Sequence, residues 1–125
     1  MMTNAPQEIS NLDDLRGFDF SNVLEMLGGN KDLLKQLLIS FSDENSHVPD
    51  EIKAKAGQGD FVTARGLAHE IKGMVGNLGA KSLHDISGKL ELELKSGHLN
   101  SGTFSTFNEE FNKAILAITK LKSNE

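Results

Sequence analysis

One histidine in the middle of the chain stands out because three glycines surround it on a predicted helix. His69 has Gly66, Gly73 and Gly76 as its helical neighbours at positions i−3, i+4 and i+7. Each glycine inside a helix costs about 1 kcal/mol relative to alanine, so three of them around one residue need a reason. Bare backbone around an exposed imidazole suits the close approach of a partner. An imidazole has an ordinary pKa of about 6.5, so it is largely an unprotonated nucleophile at neutral pH.

These observations also have ordinary explanations. A lone histidine on a helix is commonly a solvated surface side chain, and a close helix crossing accounts for any one of the glycines. A close crossing does not explain why all three glycines surround the same residue. We therefore treat His69 as a candidate nucleophile and the three glycines as candidate access positions.

Two basic residues border the candidate nucleophile on the same helix. Lys72, at i+3 from His69, can bring its ammonium group to the ring and offset negative charge that builds up there. Arg65, at i−4, is a weaker candidate for the same task. Both residues also fit an ordinary solvated helix border, and this alternative is stronger for Arg65.

The remaining histidines give no second site. His47, His84 and His98 lack the i, i+3 or i, i+4 spacing that would place two of them on one metal ion, and we assign them no role. The chain has no cysteine, which excludes disulfides and thiolate metal sites. We expect no metal in this chain.

The helix that carries His69 has one apolar seam and clear ends. Asp60 is predicted to cap its start, and Gly79 to end it in the left-handed conformation that glycine favours. The seam has three-four spacing, which is typical of a helix that buries one face. Its residues are Phe61, Ala64, Ala68, Ile71, Val75 and Leu78.

A turn at Gly79-Ala80 predicts an antiparallel helix pair. In that pair His69 lies level with residues 88–91 of the following helix. Lys89 and Glu91 are therefore candidates for orienting the ring or contacting a partner, although a solvated helix face is the more ordinary explanation for both.

The other segments predict further helices around this pair. We expect residues 1–7 to be a disordered lead-in and residues 8–125 to form the bundle. Two short helices should come first, one with Ile9, Leu12 and Leu15, the other starting at Asp19 and presenting Phe20, Val23, Leu24 and Leu27. A long helix capped by Asn30 should run to about Ala56, kinked at Pro49, with Leu34, Leu37, Phe41, Val48 and Ile52 inside.

Two amphipathic helices complete the pattern. One presents Leu83, Ile86, Leu90 and Leu94. The last, from about Thr103 to Lys122, presents Phe104, Phe107, Phe111, Ile115, Ile118 and Leu121. The predicted fold is all-α, an antiparallel up-and-down four-helix bundle with one or two short N-terminal helices.

The pattern around His69 resembles the signature of a known family. His69-x-x-Lys72-Gly73 is followed by Gly76-x-Leu78-Gly79-Ala80, and then by Leu83 and Leu90-Glu91. This is similar to histidine-containing phosphotransfer (HPt) domains, the histidine intermediates of multistep phosphorelays in two-component systems. The likeness in pattern runs from about Phe18 to Leu121, and the specific motif covers residues 64–91. Small residues commonly follow the Lys-Gly pair in the family, whereas Met74 and Val75 follow it here and should alter packing rather than chemistry.

The resemblance implies a function for the candidate residues. His69 would accept a phosphoryl group from a receiver-domain aspartyl phosphate and pass it to another response-regulator aspartate, while Lys72 neutralises the phosphate charge. Receiver docking or access would involve Arg65, Gly66, Gly73, Gly76, Lys89 and Glu91. The partners would be response-regulator receiver domains and a hybrid histidine kinase. The chain lacks a glycine-rich phosphate loop and paired catalytic carboxylates, so we expect a phosphocarrier that is not an enzyme, with no cofactor of its own and magnesium on the receiver.

The length and net charge of the chain limit the number of domains and the kinds of partner it can have. A chain of 125 residues fits one helical domain and leaves no room for a nucleotide-binding catalytic domain. Its net charge of −5 argues mildly against nucleic acid or an anionic membrane as the main partner. Residues 1–8 lack a signal-peptide pattern, and no apolar run approaches the ~20 residues of a membrane span. We expect a cytoplasmic monomer.

Two alternatives stay open at this point. Residues 68–72 also resemble the His-Glu box of the dimerisation helices in sensor histidine kinases, although Met74 stands where that box normally has proline. The chain would also fit a non-catalytic helical adaptor. The sequence does not decide whether the domain is free-standing or part of a hybrid kinase, nor in which direction phosphate flows.

Overall fold

The computed structural model describes residues 18–123, and these form an all-α domain. Its helices are α1 (Ser21–Met26), α2 (Lys31–Asn45), α3 (Val48–Gly57), α4 (Phe61–Asn77), α5 (Lys81–Lys95) and α6 (Ser101–Ser123). Within this range no helix is both long enough and apolar enough to cross a membrane. The predicted lead-in of residues 1–7 and the short helix with Ile9, Leu12 and Leu15 lie outside the described residues.

The long second helix is broken, where the sequence predicted a kink. α2 ends at Asn45 and α3 begins at Val48, so Pro49 occupies the second position of a new helix. A proline in mid-helix loses one hydrogen bond and clashes with the carbonyl group four residues earlier. In the first turn its missing N–H has no intrahelical partner to lose, so the chain restarts the helix there.

The helices pack in a closed series around one core. α4 contacts both α3 and α5, α5 contacts α6, and α6 returns to α2, while α1 lies on α2. α4 and α5 run antiparallel, because Gly76 at the end of α4 meets His84 near the start of α5. This pair places the candidate site, and the up-and-down order of the whole bundle remains a prediction.

The core contains most of the predicted apolar residues. Among those buried are Leu34, Phe41, Ile52, Ala64, Ala68, Ile71, Val75, Leu90, Leu94, Phe107, Phe111 and Ile118. One position in α2 was predicted wrongly, since Leu38 is fully buried while Leu37 is 40% exposed. Leu38 follows Leu34 by one helical turn and precedes Phe41 by another, so the inner stripe passes through Leu38. Phe61, Ile86, Phe104 and Ile115 are only partly buried.

Both ends of α4 form as the sequence predicts. The Asp60 carboxylate accepts a hydrogen bond of 3.1 Å from the backbone N–H of Thr63. At the other end Gly79 has φ +83°, and the N–H of Ala80 donates to the carbonyl of Val75. The Gly79 carbonyl also accepts a 2.6 Å hydrogen bond from the N–H of Asp19. The turn between α4 and α5 is therefore held from outside as well.

Candidate functional site

His69 lies on the surface of α4 with one ring nitrogen bound to the neighbouring helix. Its side chain is 66% exposed, and its Nδ1 lies 3.0 Å from Oε2 of Glu91 on α5. The Glu91 side chain is only 12% exposed. The imidazole is thus anchored at its inner edge while most of its surface stays open.

Glu91 is the centre of a cluster of four charged or polar side chains. The Nζ atom of Lys72 lies 3.2 Å from Oε1, and the Nε atom of Arg65 lies 3.9 Å from Oε2. Burial alone would raise the pKa of Glu91, but the hydrogen bonds and charges of Lys72 and His69 outweigh it and lower that pKa. Glu91 is therefore ionised at neutral pH.

The ionised carboxylate decides which nitrogen of His69 carries the proton. A carboxylate only accepts hydrogen bonds, so the Nδ1 atom that contacts it must be the N–H donor. In the neutral ring the lone pair then belongs to Nε2. Among the described residues Nε2 has no hydrogen-bond partner. The contact thus leaves a nucleophilic nitrogen available on an exposed ring.

The three glycines around His69 differ in what surrounds them. A Cβ atom at Gly66 or Gly73 would meet nothing within 4 Å, so both positions are open. A Cβ atom at Gly76 would lie only 2.8 Å from Nδ1 of His84. The absence of a side chain at Gly76 therefore makes room for the His84 ring within the domain. Partner access at all three glycines stays a prediction.

The structure gathers some of the predicted site residues and leaves one out. Arg65, Lys72 and Glu91 all meet beside His69, at the level on α5 that the hairpin register predicts. Lys89 is exposed, and the described contacts include no hydrogen bond or ion pair between it and this cluster.

Two residues of α5 were missed by sequence reasoning. The Nδ1 atom of His84 lies 3.0 Å from the backbone oxygen of Lys72, although His84 had been given no role. Gly88 lies beneath the Lys72 side chain, because a Cβ atom there would stand 3.4 Å from the Cδ atom of Lys72. A signal for both existed in the sequence. Gly76 and His84, Lys72 and Gly88, and His69 and Glu91 are pairs equally distant from Ala80, the pivot of the hairpin.

The cluster is not arranged as a metal site. Across residues 18–123 there is no group of three or more histidine, aspartate or glutamate side chains placed to hold a metal ion. Among the described residues, the carboxylate that contacts His69 is that of Glu91, and its two oxygens already face Lys72, Arg65 and the imidazole itself. The arrangement fits chemistry at an imidazole nitrogen next to cationic side chains.

Comparison with protein families agrees with this arrangement. The family model described as the Hpt domain matches residues 36–118, which span α4, α5 and the whole cluster around His69. The comparisons with curated proteins and with solved structures gave no match. A match over this share of the chain assigns the family rather than a local motif. The chain therefore belongs to the Hpt domain family, whose members are phosphocarrier modules that transfer phosphoryl groups in phosphorelay signalling and interact with response-regulator receiver domains.

Proposed function

We propose that His69 accepts a phosphoryl group from an aspartyl phosphate on one receiver domain and passes it to the aspartate of another. The observation that carries this proposal is the contact between His69 Nδ1 and the ionised Glu91 carboxylate. That contact leaves Nε2 as the nucleophile on a ring that is 66% exposed. His69 is also the histidine that stands at the motif position shared with the family.

The transfer step needs no separate base. The Nε2 lone pair attacks phosphorus, the bond from phosphorus to the aspartyl oxygen breaks, and its electron pair remains on the aspartate carboxylate. The ring now carries a proton on Nδ1 and phosphorus on Nε2, so it bears a positive charge. Glu91 offsets this charge through the hydrogen bond it already accepts. The same steps in reverse hand the phosphoryl group to the second receiver.

In this proposal Lys72 acts on the phosphoryl group itself. Its ammonium group is 3.2 Å from Glu91 and its side chain is 34% exposed, so it lies between the buried carboxylate and solvent. A phosphoryl group brings up to two negative charges to the ring, and a cation nearby lowers the free energy of that state. Arg65, 46% exposed on the same edge, is a second candidate for this contact.

The docking face for a receiver would include the open backbone beside His69. Around the helix axis of α4, Gly73 follows His69 by about 40°, and Met74 follows Gly73 by about 100°. Met74 borders an apolar groove of about 440 Å³ whose other walls include Leu37 and Met26. Open space at Gly73 and Gly66 supports close approach of a partner between the imidazole and this groove.

The remaining components belong to the partners in this proposal. The receiver supplies the aspartate and its magnesium, and a hybrid histidine kinase supplies the first phosphoryl group. The domain acts as a monomer, because each half-reaction needs only one His69 face and one receiver.

The experiment is transfer from a phosphorylated receiver. The wild-type domain and His69→Gln are each incubated with a receiver carrying labelled phosphate, and the modified residue is mapped by mass spectrometry. We expect an acid-labile adduct on His69 in the wild type and no adduct in His69→Gln. The matched control is His98→Gln, an exposed histidine outside the cluster, which should label normally. Full labelling of His69→Gln, or a label on His47, His84 or His98, would contradict the proposal. Absence of any label on the wild type would favour the adaptor alternative.

A further inference from the structure

We infer that His84 is a positioning residue for the transfer site, holding Lys72 from its backbone side so that Lys72 and His69 meet Glu91 at bonding distance. The inference rests on the proposed function of His69 and adds a residue to it. His84 lies in the first turn of α5 and is half-buried, away from the exposed nitrogen of His69.

His84 contacts α4 through a hydrogen bond from its ring to a backbone carbonyl. The Nδ1 atom of His84 is 3.0 Å from the carbonyl oxygen of Lys72, and a carbonyl only accepts, so this nitrogen carries the proton. The ring reaches that oxygen because it lies against the backbone of Gly76, where a Cβ atom would stand 2.8 Å from Nδ1 and 3.2 Å from Cε1. A Cβ atom at position 76 would therefore force the His84 ring to move.

Lys72 is consequently held by α5 at three points. His84 binds its carbonyl, Gly88 gives space to its aliphatic stem, and Glu91 binds its ammonium group. These three residues of α5 follow i, i+4 and i+7 spacing, so they form one stripe of about 10 Å along that helix. The stripe fixes the position of Lys72 along α5 as well as the direction of its side chain.

The same stripe sets the distance between His69 and Glu91. A donor–acceptor distance of about 3.6 Å is no longer a hydrogen bond, so a shift between α4 and α5 that lengthens the 3.0 Å Nδ1 contact by about 0.6 Å would break it. His69 lies one helical turn before Lys72 on α4, and the His84 bond opposes such a shift at that turn. Misplacement of this size in a reacting group can cost up to about 100-fold in rate.

Two substitutions at position 84 separate the hydrogen bond from the filling of space. In asparagine the Nδ2 donor stands at the same position along the side chain as Nδ1 of histidine, so His84→Asn retains the donor. His84→Leu places a methyl group there and has no donor. We expect His84→Leu to slow transfer from a phosphorylated receiver about tenfold, and His84→Asn to stay within about twofold of the wild type.

A nitrogen NMR measurement of the His69 ring provides the second readout. The wild type and His84→Asn should show the proton of His69 on Nδ1, whereas His84→Leu should show a mixture of both tautomers. A purely structural role for His84 would lower stability without changing that tautomer.

Gly76→Ala, which keeps both donors but displaces the His84 ring, should give the tautomer mixture as well. In a His84→Ala background the same Gly76→Ala change should have no further effect.

The outcomes separate this inference from the proposed function. Transfer and tautomer at wild-type values in His84→Leu, or equal losses in His84→Asn and His84→Leu, would overturn the role of His84. Absence of transfer in every variant, including the wild type, with the tautomer changes still present would instead reject the function of His69 and leave the positioning contact intact. If circular dichroism shows that His84→Leu does not fold, the tautomer of His69 in Gly76→Ala tests the inference instead. A tautomer mixture there supports it, and the wild-type tautomer overturns it.

Discussion

The two sides of α4 that flank His69 differ in packing: one is in contact with α5 and the other is open. On the side facing α5, Lys72 and Gly76 are in contact with residues of the neighbouring helix. On the outer side, Gly66 and Gly73 have open space where a side chain would stand. Glycine occurs on both sides of α4. The His84 ring occupies the space beside the inner glycine, Gly76, whereas no atom of the described residues occupies the space beside Gly66 or Gly73.

The difference suggests a division of tasks around one imidazole. A nucleophile must be oriented within a fraction of an ångström. It must also be accessible to a partner that is a whole protein domain. Contacts with α5 serve the first need, because they hold Nδ1. In the proposed function, the bare backbone at Gly66 and Gly73 on the outer side serves the second need. Each of the following predictions tests one side against the other.

The largest effect should come from filling the outer side. Gly73→Gln adds a long side chain one turn from His69, which should obstruct docking and slow transfer by about 100-fold, while the fold is retained because nothing lies within 4 Å of the new Cβ atom. A transfer time course with a phosphorylated receiver, together with circular dichroism, measures both quantities.

The matched control for Gly73→Gln is Gly57→Gln. Gly57 is the last residue of α3 and also has open space at its Cβ position, but it lies before the start of α4. Transfer by Gly57→Gln should equal that of the wild type. If Gly73→Gln transfers normally, the outer side of α4 is not the docking face.

A smaller loss should follow from removing the cation on the inner side. Lys72→Ala removes the ammonium group 3.2 Å from Glu91 and should slow transfer about tenfold, since one charge-assisted contact to the phosphoryl group is lost. The helix should remain folded, because alanine is at least as good a helix former as lysine. Lys53→Ala, an exposed lysine of α3, is the control. Equal transfer rates for both variants would mean that Lys72 is an ordinary helix-border residue.

Alanine at the two kinds of glycine should change stability in opposite directions. Gly73→Ala should raise the free energy of unfolding by about 0.5 to 1 kcal/mol, because it improves helix propensity without a steric conflict. Gly76→Ala should lower it by about 1 kcal/mol, since overpacking against the His84 ring costs more than the helix gains. Urea denaturation of the two variants gives the signs. Two changes of the same sign would mean that the two sides do not differ in packing.

A pH dependence of stability is also expected from the inner side. The pKa of Glu91 is lowered in the folded state, so its ionised form stabilises the fold above the unfolded value of about 4.3, and this contribution is lost as pH falls through the folded value. Glu91→Gln should therefore be less stable than the wild type by about 1 kcal/mol at pH 7, discounted for the partly exposed partners.

This difference should shrink as pH falls through the lowered pKa of Glu91, because Glu91 of the wild type then becomes protonated as well. Denaturation midpoints of the two proteins at pH 7, 5 and 3 measure it. A constant difference across that range would show that the change acts through packing and not through the charge of Glu91.

The break between α2 and α3 shows where local reading of the sequence fails. Pro49 predicts that the helix is interrupted. A kinked helix and two separate helices both avoid a regular helical hydrogen bond at the proline nitrogen. The restart gives α3 a first turn with Asp50 and Glu51, which suit the positive end of the helix dipole. The choice between the two depends on how Leu38, Phe41 and Ile52 all reach the core, and this is a property of the whole bundle.

The sequence by itself determined the elements and the candidate nucleophile. Three-four spacing fixed the buried face of α4, Asp60 and Gly79 fixed its ends, and the turn at Gly79-Ala80 placed His69 level with residues 88–91, which include Glu91. These features follow from helix geometry and from the conformations that single residues adopt, so they can be read without knowledge of the fold.

Only the tertiary structure decided what each residue beside His69 does. Glu91 and Lys89 looked alike as charged residues of one helix, yet Glu91 is buried in the cluster and Lys89 is exposed. Gly73 and Gly76 looked alike as glycines, yet His84 occupies the space at Gly76 alone. The physical reason is that burial, ionisation and free space depend on the distance and rotation between α4 and α5, and these are set by packing across the whole interface rather than by spacing along either helix.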